Sequence, residues 1–237
     1  MCHSPVGAED HAEARRAARS GERVRRRSSR FINQEVSHEL APVPDAMLAD
    51  PPPEDWLSWR RTRNSHGYSP LDQVTRNNVA DLTLAWSIAI RPGNHQTTPL
   101  VHDGVMFLAN PGNVVQAIDA ETGDVIWVYR APLPEDARAG ATRTLAFYGD
   151  KLFLATADAA VVALDARTGT EVWRTVKTDY TQGFRQNAGR VIANGVVVTG
   201  TNGCDRYTDQ SCFITGHDPD TGEEPVSYTH LTLPTKA

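Results

Sequence analysis

Long apolar runs are missing from this 237-residue chain, and cysteine is scarce. No stretch of about 18 uncharged apolar residues occurs, so the sequence encodes no transmembrane helix. The formal net charge of -5 argues against a general nucleic-acid binder, because such proteins present a basic face to phosphates. With three cysteines and no C-x-x-C pair, the sequence does not indicate a zinc site.

The first 40 residues differ from the rest of the chain. Eight arginines fall within the first thirty residues, but no apolar segment of the kind found in secretory signals accompanies them. A basic targeting or nucleic-acid arm is one interpretation, and a disordered or mis-started leader is the other. The lack of apolar periodicity favours the leader, because such a segment has little to bury. We assign residues 41–225 to the folded region.

The dominant pattern in that region is a D-x-x-T-G turn followed four residues later by tryptophan. Two copies run from Asp119 to Trp127 and from Asp165 to Trp173, and a third begins at Asp218. The offsets of 46 and 53 residues are close to the repeat length of four-stranded propeller blades. Short β-branched runs around D-G, G-D and N-G pairs precede each copy and are typical of hairpins. The pattern predicts an all-β fold.

The turn and its tryptophan have separate physical roles. Aspartate and threonine side chains hydrogen-bond backbone groups inside such turns, and glycine tolerates the left-handed conformation that closes them. The tryptophan offers a large flat surface for packing one blade against the next. We therefore interpret Trp127 and Trp173 as structural residues and not as stacking partners of a cofactor.

These A-x-D-A-x-T-G-x-x-x-W units, preceded by D-W-L-S-W-R-R and Y-S-P-L-D-Q, resemble the pyrroloquinoline-quinone (PQQ) dependent alcohol dehydrogenases. The resemblance extends from about Pro51 to Pro225. It implies a partial β-propeller, the first two to three blades of an eight-bladed quinoprotein, with PQQ and calcium as cofactors. It also implies an alcohol or related hydroxyl compound as substrate and a cytochrome c or quinone as electron acceptor. The family's catalytic aspartate would follow residue 237, so we expect this chain alone to be inactive.

The resemblance places cofactor contacts at several positions. Gln96 in H-Q-T-T-P stands where relatives often carry a glutamate that hydrogen-bonds the quinone, and Arg143 matches an arginine near the quinone carbonyls. An arginine suits that role because it stays cationic and stabilises an oxygen that gains charge on reduction. Asn187 falls where a threonine often contacts the cofactor, although relatives usually have proline where Arg190 stands. A surface ion pair for Arg143 and a plain strand-end hydrogen bond for Gln96 are the alternatives.

The segment G-T-N-G-C-D-R-Y carries the best-matched part of the site. The resemblance implies that Asp205 ligates calcium, and that Gly203 and Cys204 present backbone amides to the quinone's carboxyl groups. A turn-capping role is the alternative for Asp205. The adjacent cysteine pair of many relatives is replaced here by A-R-A-G-A-T. Cys204 and Cys212 are candidates for a disulfide that closes a blade loop, and two unrelated thiols are the alternative.

The third copy of the turn ends differently from the first two. Tryptophan is expected four residues after Gly222, but position 226 is valine. Residues 226–237 resemble a translated sequencing-library adapter, so we expect the native sequence to stop near Pro225, and a divergent native tail is the alternative. The source nucleotide record across these codons would decide between them.

Two other functions stay open on the sequence alone. Scaffold proteins of outer-membrane assembly share the tryptophan-turn repeats without catalysis, but D-W-L-S-W and N-G-C-D-R-Y favour a dehydrogenase. A PQQ-dependent sugar dehydrogenase is the other alternative, and its membrane anchor would precede residue 50, where none is visible. The location of relatives, together with the cysteine pair, predicts a periplasmic protein.

Overall fold

The computed structural model describes residues 39–137, 140–141, 143–186, 189–203 and 212–228. Within these ranges the chain forms three four-stranded antiparallel sheets. Among the described residues, one short helix, α1 (Asp45–Ala49), precedes the sheets, and two 3-10 turns lie at Val79–Asp81 and Tyr180–Gln182. The predicted all-β propeller blades are confirmed. No helix in the described ranges has the length and apolar character needed to cross a membrane.

Each sheet is a simple meander in which consecutive strands pair. The first sheet contains β1 (Leu100–His102), β2 (Val105–Asn110), β3 (Val114–Asp119) and β4 (Val125–Arg130). The second contains β5 (Ala146–Tyr148), β6 (Lys151–Ala155), β7 (Ala160–Asp165) and β8 (Glu171–Val176). The third contains β9 (Val191–Ala193), β10 (Val196–Gly200), β11 (Ile214–His217) and β12 (Val226–Tyr228).

The D-G and N-G pairs form the hairpin turns that the sequence predicts. Asp103 and Gly104 have φ values of 46° and 75°, and Asn194 and Gly195 have values of 49° and 73°. Positive φ at both central residues is the requirement of the type I′ turn that matches strand twist. These turns join β1 to β2 and β9 to β10.

The strand register repeats from sheet to sheet. Trp127 pairs with Ala117 and Trp173 pairs with Ala163, each beside a bulge in the ladder. In the third sheet Val226 pairs with Gly216 at the corresponding position. Val226 therefore occupies the place that tryptophan holds in the first two sheets, at the start of the segment whose adapter origin stays a prediction.

Three tryptophans make the same contact with the turn of the following repeat. The indole Nε1 atoms of Trp86, Trp127 and Trp173 donate hydrogen bonds to the carbonyl oxygens of Ala120, Ala166 and Pro219 at 3.1, 3.0 and 3.0 Å. The turn glycines lie directly under the rings, since a Cβ at Gly169 would approach Trp127 Cε3 to 2.5 Å. This contact confirms the predicted structural role of Trp127 and Trp173.

Aspartate side chains shape these turns from within. Asp165 Oδ1 accepts hydrogen bonds from the backbone N–H groups of Arg167 and Thr168 at 3.0 and 2.8 Å, and Gly169 has a φ of +70°. The same arrangement recurs at Asp119, whose Oδ1 atom accepts from the N–H of Thr122 at 2.8 Å. The repeated motif therefore builds a rigid platform that presents its glycine to the tryptophan.

A polar network also joins the first two sheets. The Tyr129 hydroxyl on β4 donates to Glu171 Oε2 on β8 at 2.5 Å and accepts from Arg174 Nη2 at 3.1 Å. Arg174 also donates to Asp158 Oδ2 at 3.1 Å. Burial, and then the Glu171 hydrogen bond, raise the pKa of Tyr129 well above its ordinary value, so the phenol stays protonated and keeps donating.

The N-terminal segment is fastened to this core through a buried histidine. His102 Nδ1 lies 2.6 Å from Asp55 Oδ2, and His102 Nε2 lies 2.8 Å from the carbonyl oxygen of Ala41. Backbone pairing of Val43 with Gly149, and of Trp56 with Val101, adds to the attachment. Residues 40–57 are thus attached to β1 of the first sheet and to the first hairpin of the second sheet. The predicted cofactor residues Gln96 and Arg143 lie shortly before these two elements.

Candidate functional site

Two predicted cofactor residues from different repeats meet in the structure. Gln96 lies shortly before β1, and Arg143 lies shortly before β5. Arg143 Nε donates a hydrogen bond to Gln96 Oε1 at 3.0 Å, although 47 residues separate the two. Both side chains are exposed, and no carboxylate in the described ranges forms a salt bridge with Arg143. The alternative of a surface ion pair therefore finds no partner within those ranges.

Buried polar atoms without partners lie next to the predicted site residues. Thr97 Oγ1, adjacent to Gln96, and Asn202 Oδ1, adjacent to Gly203, are shielded from solvent and have no hydrogen-bond partner within the described part of the chain. Buried polar groups are normally satisfied, so each of these atoms needs a partner from outside this part. PQQ carries several carboxyl and carbonyl oxygens and ring nitrogens, and therefore fits such a donor and acceptor set.

Gly203 sits in a tight loop that only glycine can form. Its φ is +86°, and a Cβ at this position would lie 2.7 Å from the carbonyl oxygen of Gly183. Two backbone hydrogen bonds of 2.8 and 2.9 Å between Arg185 and Asn202 hold the loop against the preceding segment. The predicted amide contact from Gly203 to the cofactor stays a prediction, but the loop's fixed backbone is the kind of support that such a contact requires.

Several predicted residues fall outside the described ranges. Asn187, Cys204 and Asp205 are among them. The calcium ligand, the amide contact at Cys204 and the disulfide between Cys204 and Cys212 therefore stay predictions. Cys212 itself begins the segment that leads into β11 and is partly buried.

A half-buried amine that the sequence does not predict lies between the end of β10 and the segment leading into β11. Lys177 Nζ lies 3.5 Å from the carbonyl oxygen of Thr199 and 5.4 Å from the ring centre of Phe213. Burial lowers the pKa of Lys177 to about 8. Nothing in the sequence marks this residue, because a lysine after an exposed strand end ordinarily points into solvent.

One cluster has metal-like spacing but is not a metal centre. Single ligand atoms of Asp55, His102 and Asp103 all lie within 4.8 Å of one another. Both ring nitrogens of His102 already lie at hydrogen-bond distance from oxygens of Asp55 and Ala41, so the ring is engaged within the protein. We interpret the cluster as the attachment of the N-terminal segment described above.

Comparison with known proteins now places these residues in a family. A sequence profile described as the glucose/ethanol/alcohol dehydrogenase β-propeller domain of PQQ proteins matches residues 56–228. The chain belongs to this quinoprotein dehydrogenase family. The dehydrogenase subunit of the quinone-dependent alcohol dehydrogenase of Komagataeibacter europaeus is 34% identical over 198 residues, which are 78% of this chain and 26% of that protein.

Solved structures give the same family. The quinohemoprotein alcohol dehydrogenase ADHIIG of Pseudomonas putida superposes with a TM-score of 0.70 at 31% identity, over 80% of this chain and 29% of that one. A europium-containing methanol dehydrogenase superposes with a TM-score of 0.69 at 27% identity, over 77% of this chain and 33% of that one. The chain thus spans between about a quarter and a third of the length of these quinoproteins.

Proposed function

We propose that this quinoprotein segment belongs to an alcohol dehydrogenase that uses PQQ and a metal ion, and that it supplies part of the cofactor site. The observation that carries the proposal is the hydrogen bond between Arg143 and Gln96. These residues stand in different repeats, were predicted separately to contact one quinone, and lie side by side. An ordinary surface pairing would not require that coincidence.

The chemistry of the side chains suits the two roles. When bound, PQQ supplies an electrophilic quinone that accepts a hydride equivalent from the alcohol. Arg143 holds a permanent positive charge beside the cofactor oxygens, and charge-assisted hydrogen bonds of this kind are stronger than neutral ones. Gln96 accepts the Nε–H of Arg143 and thereby orients the rest of the guanidinium group. The unpartnered hydroxyl of Thr97 would donate to the same ligand.

The metal would be held by the loop that follows β10. Asp205 supplies the carboxylate, and the amides of Gly203 and Cys204 bind the cofactor's carboxyl groups. Calcium is the expected ion because carboxylate oxygen suits a hard cation. A lanthanide is the second candidate, since one of the superposed methanol dehydrogenases contains europium.

The remaining functional assignments rest on the family resemblance and on the cysteine pair. The electron acceptor is a cytochrome c or a quinone, the protein works in the periplasm, and Cys204 and Cys212 form a disulfide. No sheet covers the exposed side chains of Leu82 and Leu84 within the described residues, and we expect the 237-residue chain to be insoluble when it is expressed alone and to reduce no dye.

The overall proposal is tested with a full-length protein that contains this segment. Loaded with PQQ and either calcium or a lanthanide, it should reduce an artificial dye with ethanol or 1-butanol and not with glucose. Turnover of glucose alone would identify a sugar dehydrogenase. No turnover with any substrate, at full cofactor occupancy, would favour a non-catalytic propeller.

The role of Arg143 is tested by cofactor binding. Arg143→Gln should weaken PQQ binding roughly 10- to 100-fold, because a charge-assisted hydrogen bond contributes about 1.5–3 kcal/mol. Arg143→Lys should be intermediate, since lysine keeps the charge and loses the planar fork. Arg76→Gln, at an exposed arginine that precedes β1, is the matched control and should bind as the wild type does. Unchanged affinity of Arg143→Gln would remove this residue from the site.

A further inference from the structure

A cavity lies between the N-terminal segment and the first strands of the second and third sheets. Its volume is about 440 Å³, which is within the range of roughly 300–1,000 Å³ found for small-molecule sites. The apolar walls of the cavity come both from the N-terminal segment and from the residues in and beside the first strands of the second and third sheets. They include Leu48, Leu57, Leu145, Phe147 and Ile192, all of which are buried.

Arg190, which lines this cavity, has no carboxylate partner among the residues that the structure describes. Arg190 is 5% exposed, and Nη1 donates to the carbonyl oxygen of Thr144 at 2.9 Å. Its Nε is buried and has no hydrogen-bond partner within the described part of the chain. No carboxylate of the described ranges lines the cavity or forms a salt bridge with this guanidinium group. Taking a cation out of water without a counter-charge is costly, so an unpaired arginine here needs an explanation.

Burial lowers the proton affinity of the Arg190 guanidinium group but does not remove its charge. It lowers the pKa of Arg190 to about 9, so the guanidinium group is still protonated at neutral pH. The lining contains two further cations and no anion in the described ranges. Arg63 is paired with Asp45 at 2.7 Å, and Arg60 lies over the Trp59 ring at 4.6 Å. Among the described lining residues, Arg190 is therefore a buried cation that has no counter-charge.

We propose that this cavity binds a small aliphatic carboxylate, with the carboxyl group on Arg190 and the alkyl chain against the apolar walls. Nη1 is engaged by Thr144, and the opposite edge of the guanidinium group carries the free Nε–H. That edge matches the spacing of two carboxylate oxygens, which is why arginine binds carboxylates in a two-pronged manner. The proposed site is distinct from Gln96 and Arg143, which are exposed residues that do not line the cavity.

Ligands that differ only in charge test the proposal. The probes are hexanoate and 1-hexanol, titrated calorimetrically at pH 7 into the full-length protein prepared without PQQ or metal. Hexanoate should bind at least about tenfold more tightly than 1-hexanol, because a hydrogen-bonded charge contributes more than a neutral group. Equal affinities, or no binding of hexanoate, would overturn the proposal. Because no cofactor or turnover is involved, this outcome is independent of the proposed dehydrogenase activity.

A variant of the arginine gives a second measurement. Arg190→Gln should reduce hexanoate affinity roughly 10- to 100-fold and leave hexanol affinity unchanged. Arg60→Gln, at the exposed mouth, should reduce hexanoate affinity less than threefold. If Arg190→Gln does not fold, Leu57→Trp fills the cavity and should abolish binding of both probes. Unchanged hexanoate affinity in the Arg190→Gln or the Leu57→Trp variant would place the ligand elsewhere.

Discussion

Replacing Gly169 with alanine measures what one tryptophan contact contributes to stability. Gly169 has a φ of +70°, and adding a Cβ to it would bring that atom within 2.5 Å of Trp127 Cε3. The left-handed backbone costs an alanine about 1–2 kcal/mol, and forcing a methyl group into a filled contact costs about 1–3 kcal/mol more. We therefore expect Gly169→Ala to lower the free energy of unfolding by roughly 2–5 kcal/mol.

The chain offers a matched control for the backbone part of this effect. Gly104 has a φ of +75°, and a Cβ there would meet no atom within 4 Å. Gly104→Ala should consequently lose only the conformational share, about 1–2 kcal/mol. The difference between the two variants isolates the steric share that Trp127 causes. Guanidinium unfolding of the full-length protein gives both values, provided that the slope of the transition is unchanged.

The comparison can also refute the reasoning. Equal losses for Gly169→Ala and Gly104→Ala would mean that the indole moves aside freely and that the contact with the turn is not rigid. A double-mutant cycle with Trp127→Ala gives a further check, because the steric share should disappear once the ring is gone. If the steric loss persists in the double variant, another neighbour of Gly169 causes it.

Two further predictions concern polar groups between the sheets. Tyr129→Phe removes the hydroxyl that bridges Glu171 and Arg174. This variant should lower the free energy of unfolding, measured in guanidinium, by about 1–2 kcal/mol. Lys177→Met should stabilise the protein more at pH 7 than at pH 10. The lowered pKa of about 8 means that the unfolded state binds more protons than the folded state between about pH 8 and the ordinary lysine value of 10.5. The destabilisation from Lys177 is therefore fully present below pH 8 and is lost as pH rises to 10.5, and equal effects of the variant at both pH values would contradict this.

The repeated elements of the fold were predictable because they are coded locally. The D-x-x-T-G turn needs only five consecutive residues, and the hairpin turns need two. The tryptophan contact was also predictable as a type, because a flat apolar ring recurring at a fixed distance after each turn has few other uses. The particular partners of each indole, such as Ala166 for Trp127, required the structure.

The features that the sequence did not reveal depend on residues far apart in the chain. Asp55 and His102 are 47 residues apart, and nothing near either residue predicts their contact. A weak signal did exist, since His102 alternates with buried Leu100 on one face of β1 and should therefore point inward. The sequence marks Arg190 only as a departure from the family's proline. Its burial without a carboxylate partner among the described residues depends on how β9 packs beside the Leu145–Phe147 segment.

The candidate site was predicted from resemblance and not from periodicity. Gln96 and Arg143 follow no repeat, because the blades differ from one another where they meet a ligand. Their hydrogen bond gives the prediction physical content that sequence comparison alone lacks. The loop at Gly203 shows the limit of such transfer, since its steric requirement for glycine is satisfied within the protein whether or not a cofactor binds.

Each of these tryptophans contacts a turn that lies later in the sequence, and this order has a consequence for synthesis on the ribosome. Trp127 needs Gly169, which follows it by 42 residues, and Trp173 needs Gly222, which follows by 49. At roughly 5–20 residues per second, each indole waits several seconds for its platform to be made. We expect nascent chains stalled between these points to be cleaved readily beside the waiting tryptophan, and to become protected in successive steps as each later turn emerges.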